Sequence, residues 1–224
     1  MKSLFWIAIV IIVAVCIGVA TSKAPTKSSS KSSDKSEPQY NYVYFIRHGE
    51  KTTDKDFGLS PLGFSHAHCL SKDYFKNFPH GAPRYAIAKM SNTERPIETA
   101  TIIANKLGIQ STDLSARLKI KGTADLILDK LAEHHRVLVV WENNAIPKLA
   151  QALGCKNCKS WNWDPTSKKH DAHLFNSTWV LRFPRQKSYN LDEINELDVK
   201  FQDFDQNFNG TDCHPHAQYI HRNF

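Results

Sequence analysis

An α/β fold, a three-layer sandwich around a mostly parallel central sheet, is what this sequence predicts, and three observations carry the prediction. From Tyr42 onward the apolar residues switch repeatedly between short continuous runs, as in buried strands, and spacings of three and four, as in helices, with no internal repeat. Val137-Leu138-Val139-Val140-Trp141 is apolar without alternation, the pattern of a strand covered on both faces in the middle of a sheet. Gly108 and Gly154 each follow a helically spaced apolar set, where a left-handed residue closes a helix. Ligands of such sheets bind outside the carboxyl ends of the strands, so the residues just after each strand are the candidates for chemistry.

Val43 to Ile46 reads as the first strand. Ser60 and Pro61 open a helix over Leu62 to Tyr74: the hydroxyl can cap the first turn, and proline's missing N–H costs nothing there. Tyr85 to Met90 reads as the second strand. Ala100, Ile103, Ala104 and Leu107 then fall at i, i+3, i+4 and i+7, and Ala124, Ile127, Leu128 and Leu131 repeat the spacing. Ile146, Leu149, Ala150 and Leu153 give a further helix. Thr178 to Phe183 reads as a strand, and Leu197, Val199 and Phe201 alternate like an edge strand paired to it.

The composition of the 224 residues, 41% hydrophobic and 23% charged with 9 Gly, excludes a collagen, a coiled coil or a wholly disordered chain. Leu4 to Ala20 carries no charge and has the character of an export segment. Gly18-Val19-Ala20 fits a cleaved signal peptide, while the long apolar core with Lys23 beyond it fits a retained single-pass anchor. The expected organisation is therefore a signal peptide or anchor over 1–20, a disordered Ser/Lys-rich linker over 21–40 and one domain over 41–224. The expected location is the secretory pathway, membrane-anchored or secreted. Of the net charge of +7, residues 1 to 40 hold +3 and leave +4 for the domain, too little for a dedicated nucleic-acid face. A membrane is an expected partner only through the N-terminal segment.

Cys69, Cys155, Cys158 and Cys213 fall in the domain, an even number that suggests disulfides with three possible pairings. Joining Cys213 to Cys155 or Cys158 would staple the C-terminal segment to the helix ending at Gly154. The type set Cys155, Cys158, Cys213 and His214 also suits zinc, but its wide central gap is no recognised zinc-finger spacing. Asn176-Ser177-Thr178 and Asn209-Gly210-Thr211 have the glycosylation pattern.

The first strand runs directly into Arg47-His48-Gly49-Glu50-Lys51. A neutral imidazole is a nucleophile for phosphorus near pH 7, an adjacent guanidinium clamps phosphate oxygens, and the glycine lets backbone approach. The second strand leads through Ser91 to Glu94-Arg95-Pro96, which sets a second arginine at the same sheet edge beside a helix N-terminus, where anions are favoured. Two arginines and a histidine on one edge make a site for a phosphate dianion.

These residues resemble the histidine phosphatase superfamily in its phosphoglycerate-mutase-like branch. The resemblance rests on Phe45 to Lys51, on Leu59-Ser60-Pro61-Leu62-Gly63 with Ala67, on Ser91 with Arg95 and Thr99-Ala100, and on Val137 to Val140 followed by Ile146-Pro147 and Leu153-Gly154. It implies a phosphomonoester hydrolase in which His48 becomes phosphorylated, Arg47 and Arg95 hold the phosphoryl group, and a pocket carboxylate, here Glu142, protonates the leaving oxygen. A small phosphorylated substrate or phosphate anion is the implied partner. No cofactor and no metal are expected.

The chain departs from the family at the second catalytic histidine. Aligned without a gap, Glu142 takes its place; shifted by one, as in relatives with Trp-Glu-His, Asn143 does. Neither supplies an imidazole cation, so a slow phosphatase and a degenerate protein that binds phosphorylated ligands without turnover are both open, beside a purely structural domain. His66 stands where the family has an arginine and is expected at the surface or behind the pocket. Glu50 is a candidate pocket residue or half of a solvated pair with Lys51. His134, His135, His170 and His173 read as surface residues.

Overall fold

The computed structural model describes residues 40–52, 57–89, 93–116, 119–159, 161 and 175–213. The chain divides into two units, Met1–Lys35 and Ser36–Phe224, and the described residues lie in the second. The export segment and nearly all of the linker, Met90, Ser91, His170, His173, His214 and most of the stretch between Lys156 and Phe175 lie outside the described residues.

The elements run β1 (Tyr40–Arg47), α1 (Pro61–Cys69) widened into a π-helical turn (Leu70–Tyr74), β2 (Tyr85–Lys89), α2 (Arg95–Leu107), β3 (Ser111–Ala116), α3 (Ile120–His134), β4 (Arg136–Trp141), α4 (Ile146–Ala152), β5 (Ser177–Pro184), a 3-10 turn (Leu191–Glu196) and β6 (Lys200–Asp205). They build a six-stranded sheet in the order β3-β2-β4-β1-β5-β6. β3, β2, β4 and β1 are mutually parallel; β5 runs antiparallel to β1, and β6 antiparallel to β5. This is the mostly parallel α/β sandwich that the sequence predicts.

Strand periodicity sorts the core into two layers. Val43 and Phe45 of β1, with Val137 and Val139 of β4, pack on Ala124, Ile127, Leu128 and Leu131 of α3 and on Ile146 and Leu149 of α4. Tyr44, Ile46, Leu138 and Val140 face the other way, onto Ala100, Ile103 and Ala104 of α2 and Leu70 after α1. The unbroken apolar run of β4 is thus explained: both of its faces are covered, and it lies between β2 and β1.

The helix ends follow the sequence. Ser60 Oγ accepts from the Gly63 N–H at 3.0 Å, with Pro61 in the first turn. Gly108 closes α2 at φ 68°, a left-handed conformation in which a β-carbon is strained. At the other end of the chain the edge strand begins later than expected. Leu197 and Val199 pack against the core from irregular backbone, and the ladder starts only at Lys200, opposite Arg182. Alternation reported which side chains face inward, not where backbone pairing begins. β3 was not read from the sequence at all, because Ser111-Thr112-Asp113 carries no apolar signal; its pairing with β2 comes from backbone hydrogen bonds.

One open question is answered and one expectation is corrected. The cysteines pair as Cys69–Cys213 and Cys155–Cys158, each with Cα atoms 5.6 Å apart, so the C-terminal segment is stapled to the end of α1 rather than to the end of α4. The secretory, membrane-anchored or secreted location is not upheld: among the described residues no helix is long and apolar enough to cross a membrane, and Leu4 to Ala20 lies outside them.

Candidate functional site

The parallel pairing of β1 and β4 builds the site. Arg47, the last residue of β1, stands in register with Trp141, the last of β4. The His48 N–H extends the ladder by donating to the Trp141 carbonyl at 3.3 Å. Glu142 and Asn143 therefore leave the sheet beside His48, at the edge where the sequence places the chemistry.

His48 is only 5% exposed, and its Nδ1 lies 2.8 Å from the Gly49 carbonyl oxygen. A carbonyl only accepts, so Nδ1 carries the proton of this hydrogen bond and Nε2 keeps the lone pair. Burial pushes the imidazole down to about 4; the Gly49 hydrogen bond opposes this, the Arg47 and Arg95 charges reinforce it, and the Glu142 charge opposes it. The ring is therefore neutral at pH 7, and three charged side chains stand close enough for it to feel them.

Arg95 opens α2 and is buried, 8% exposed. Its turn is fixed to the tip of β1 by Thr99, whose hydroxyl donates to the Arg95 carbonyl at 2.8 Å and accepts from the Gly49 N–H at 2.9 Å. From the other side, α1 is held against the same loop. The Ser60 N–H donates to the Glu50 carbonyl at 2.9 Å, and a β-carbon on Gly63 would meet that oxygen at 2.5 Å. The Arg47-His48-Gly49 segment is thus clamped between the starts of two helices.

The surrounding side chains complete the geometry. Lys89, at the end of β2, donates to Glu142 Oε2 at 2.8 Å and orients that carboxylate. Phe175 lies under the Arg47 guanidinium, 4.0 Å from the ring centroid, with His48 at its edge, the two rings 6.0 Å apart. Glu50 Oε1 accepts from His66 Nδ1 at 2.9 Å, and the His66 ring stacks on Phe208 with centroids 4.0 Å apart.

Of the residues singled out in the sequence, Arg47, His48, Arg95 and Glu142 are brought together, and Asn143 follows in the turn after β4. His66, expected at the surface or behind the pocket, is buried, 2% exposed, and its Nδ1 pairs with Glu50 Oε1. His134 and His135 lie at the end of α3, away from the motif, His135 as its left-handed cap. The Asn176 amide is taken up by the Phe208 backbone, donating to its carbonyl at 3.2 Å and accepting from its N–H at 3.3 Å. Phe175 and the linking role of Thr99 were missed. Thr99 carried a signal, four residues after Arg95 on the same helix face, whereas nothing in the sequence ties Phe175 to Arg47.

No protein-family model matches the chain. A search of curated proteins finds no match. Among solved structures, a mycobacterial glucosyl-3-phosphoglycerate phosphatase is similar at 13% identity over 73% of this chain and 97% of that one, with a TM-score of 0.49. A protein from Nakamurella multipartitia assigned as a phosphohistidine phosphatase SixA gives 16% identity over 73% and 94%, with a TM-score of 0.47. The protein histidine phosphatase SixA complexed with tungstate gives 15% over 71% and 93%, with a TM-score of 0.46. At these TM-scores each stands as a likeness only. They are of the histidine phosphatase superfamily, the family that the motifs around His48 and Arg95 resemble.

Proposed function

We propose that this protein is a phosphomonoester hydrolase that works through a phosphohistidine at His48. The observation that carries the reading is a buried, neutral His48 whose Nδ1 is occupied by Gly49, leaving Nε2 as the nucleophile, with Arg47 and Arg95 acting on it electrostatically. The arginines draw the phosphate of the ester to the strand edge and neutralise its equatorial oxygens. Nε2 attacks phosphorus, the N–P bond forms, and the P–O bond to the leaving group breaks. Glu142, oriented by Lys89, passes a proton to the leaving oxygen. Water then attacks the phosphohistidine, Glu142 takes up its proton, and inorganic phosphate leaves with His48 neutral again.

A second reading, a phosphate-ester binding protein without turnover, is favoured by Asn143. An amide there donates a neutral hydrogen bond where the family's histidine would donate a charged one. A hydrogen bond to a charged group contributes about 1.5–3 kcal/mol, so its loss costs about tenfold to a few hundredfold in rate.

The test is hydrolysis of an aryl phosphate ester by the full chain beside His48→Ala and Asn143→His. The hydrolase reading expects wild-type turnover that His48→Ala abolishes and Asn143→His raises. If the wild type is as inactive as His48→Ala while Asn143→His gains activity, the binding reading replaces it.

A further inference from the structure

One described residue beside the reacting groups has no part in the chemistry above. Phe175 belongs to the segment that joins α4 to β5, is 7% exposed, and touches both His48 and Arg47. We infer that Phe175 is a positioning residue: its ring face sets the plane of the Arg47 guanidinium, its edge walls off His48, and an amide clamp from Asn176 holds it in place. This inference rests on the phosphate-site reading of Arg47 and His48.

Stacking is the contact that suits this task. A guanidinium lying over an aromatic face is attracted through its π surface, while its N–H groups point outward in its own plane. The Phe175 contact at 4.0 Å therefore restricts the arginine without using a donor that a phosphate oxygen would need.

The ring is firmly held. Next to it, the Asn176 amide makes its reciprocal pair with the Phe208 backbone, and the Asn176 carbonyl accepts from the Gln206 N–H at 2.7 Å. Gln206 is fully buried and donates through Nε2 to the Ser177 carbonyl at 2.8 Å and to Thr178 Oγ1 at 3.0 Å. Phe208 in turn stacks on His66, and the segment ends at Cys213, joined to Cys69. Phe175 is thus fixed through residues 206–213 to α1, the helix that clamps the opposite side of the His48 loop.

Burial is the first cause of the low His48 value, and the charged groups facing the ring are Arg47 from β1, Arg95 from α2 and Glu142 after β4. Removing the Phe175 edge lets water reach the imidazole without changing these charges. An ordinary core phenylalanine would affect stability alone; a positioning one moves the phosphate affinity and the His48 titration together.

The experiment measures inorganic phosphate binding by calorimetry and His48 titration by NMR on the full chain, for wild type, Phe175→Leu, Phe175→Tyr and Asn176→Ala, beside thermal unfolding. Phe175→Leu is expected to weaken phosphate about tenfold, the scale of a partly desolvated cation–π contact, and to move the His48 titration up toward 6.5. Phe175→Tyr should restore both, and Asn176→Ala should shift both in the direction of Phe175→Leu. Unchanged phosphate affinity in Phe175→Leu with only a lower Tm overturns the inference; if that variant does not fold, unchanged affinity in Asn176→Ala overturns it. A wild type that binds phosphate, weakened by Phe175→Leu, but does not hydrolyse the aryl ester sinks the hydrolase reading and leaves the positioning role standing. A wild type that binds no phosphate removes both.

Discussion

Thr99 Oγ1 accepts the Gly49 N–H at 2.9 Å while donating to the Arg95 carbonyl at 2.8 Å, so one buried hydroxyl joins the loop of the candidate nucleophile to the helix turn of the second arginine. Thr99→Val keeps the shape and removes both bonds. The buried Gly49 N–H is then without its partner, which costs about 1–3 kcal/mol. Urea unfolding should show that loss, and Thr99→Ser should recover most of it. A Thr99→Val protein as stable as wild type would count against the link.

Gly63 is required by space. A β-carbon there would stand 2.5 Å from the Glu50 oxygen and 2.8 Å from its nitrogen, both backbone atoms that cannot swing aside. Gly63→Ala should destabilise by about 1–3 kcal/mol and lower phosphate affinity by pushing the loop out of line. Gly108→Ala is the control: among the described residues nothing beyond its own turn lies within 4 Å of its β-carbon, so only the strain of φ 68° is felt, about 1 kcal/mol, and phosphate affinity should not change.

The His48 titration links stability to pH. Since the folded value is about 4 against an ordinary 6.5, the unfolded chain binds the additional proton between those pH values. The neutral form contributes about 3 kcal/mol, fully present above pH 6.5, lost progressively as pH falls, and gone below about pH 4. Unfolding free energies measured across that window should fall more steeply for wild type than for His48→Asn. Equal slopes would show that His48 titrates normally.

The two disulfides should differ in worth. Cys69 and Cys213 are 144 residues apart and Cys155 and Cys158 only 3, so chain entropy gives about 5 kcal/mol for the first and about 2 kcal/mol for the second. Cys69→Ser/Cys213→Ser should lower Tm more than Cys155→Ser/Cys158→Ser, and should weaken phosphate binding by loosening residues 206–213 behind Phe175. An equal loss from both double variants would speak against the ordering.

The elements legible beforehand were those whose side chains are sorted by burial. β4 showed as an unbroken apolar run because both faces are covered, and α2 and α3 showed their inward stripes. β3 did not show, since Ser111-Thr112-Asp113 carries no apolar run and its register with β2 is set by backbone pairing, and β6 was expected early because Leu197 and Val199 face the core without pairing. The cysteine pairing stayed open among three possibilities because spacing along the chain says nothing about which cysteines meet in space.

By itself the sequence determined the α/β class and put Arg47 and His48 on one strand end, Arg95 at a helix start and Glu142 just past a central strand, because burial periodicity and helix punctuation are local and written in residue order. Only the tertiary structure decided that β1 and β4 lie side by side in register, that Thr99 meets Gly49, that His66 is buried on Glu50, and that Phe175 lies under Arg47. Those contacts join residues as far apart as 128 positions, Arg47 and Phe175. Packing and hydrogen-bond geometry select such partners once the sheet has formed, and no pattern along the chain encodes them.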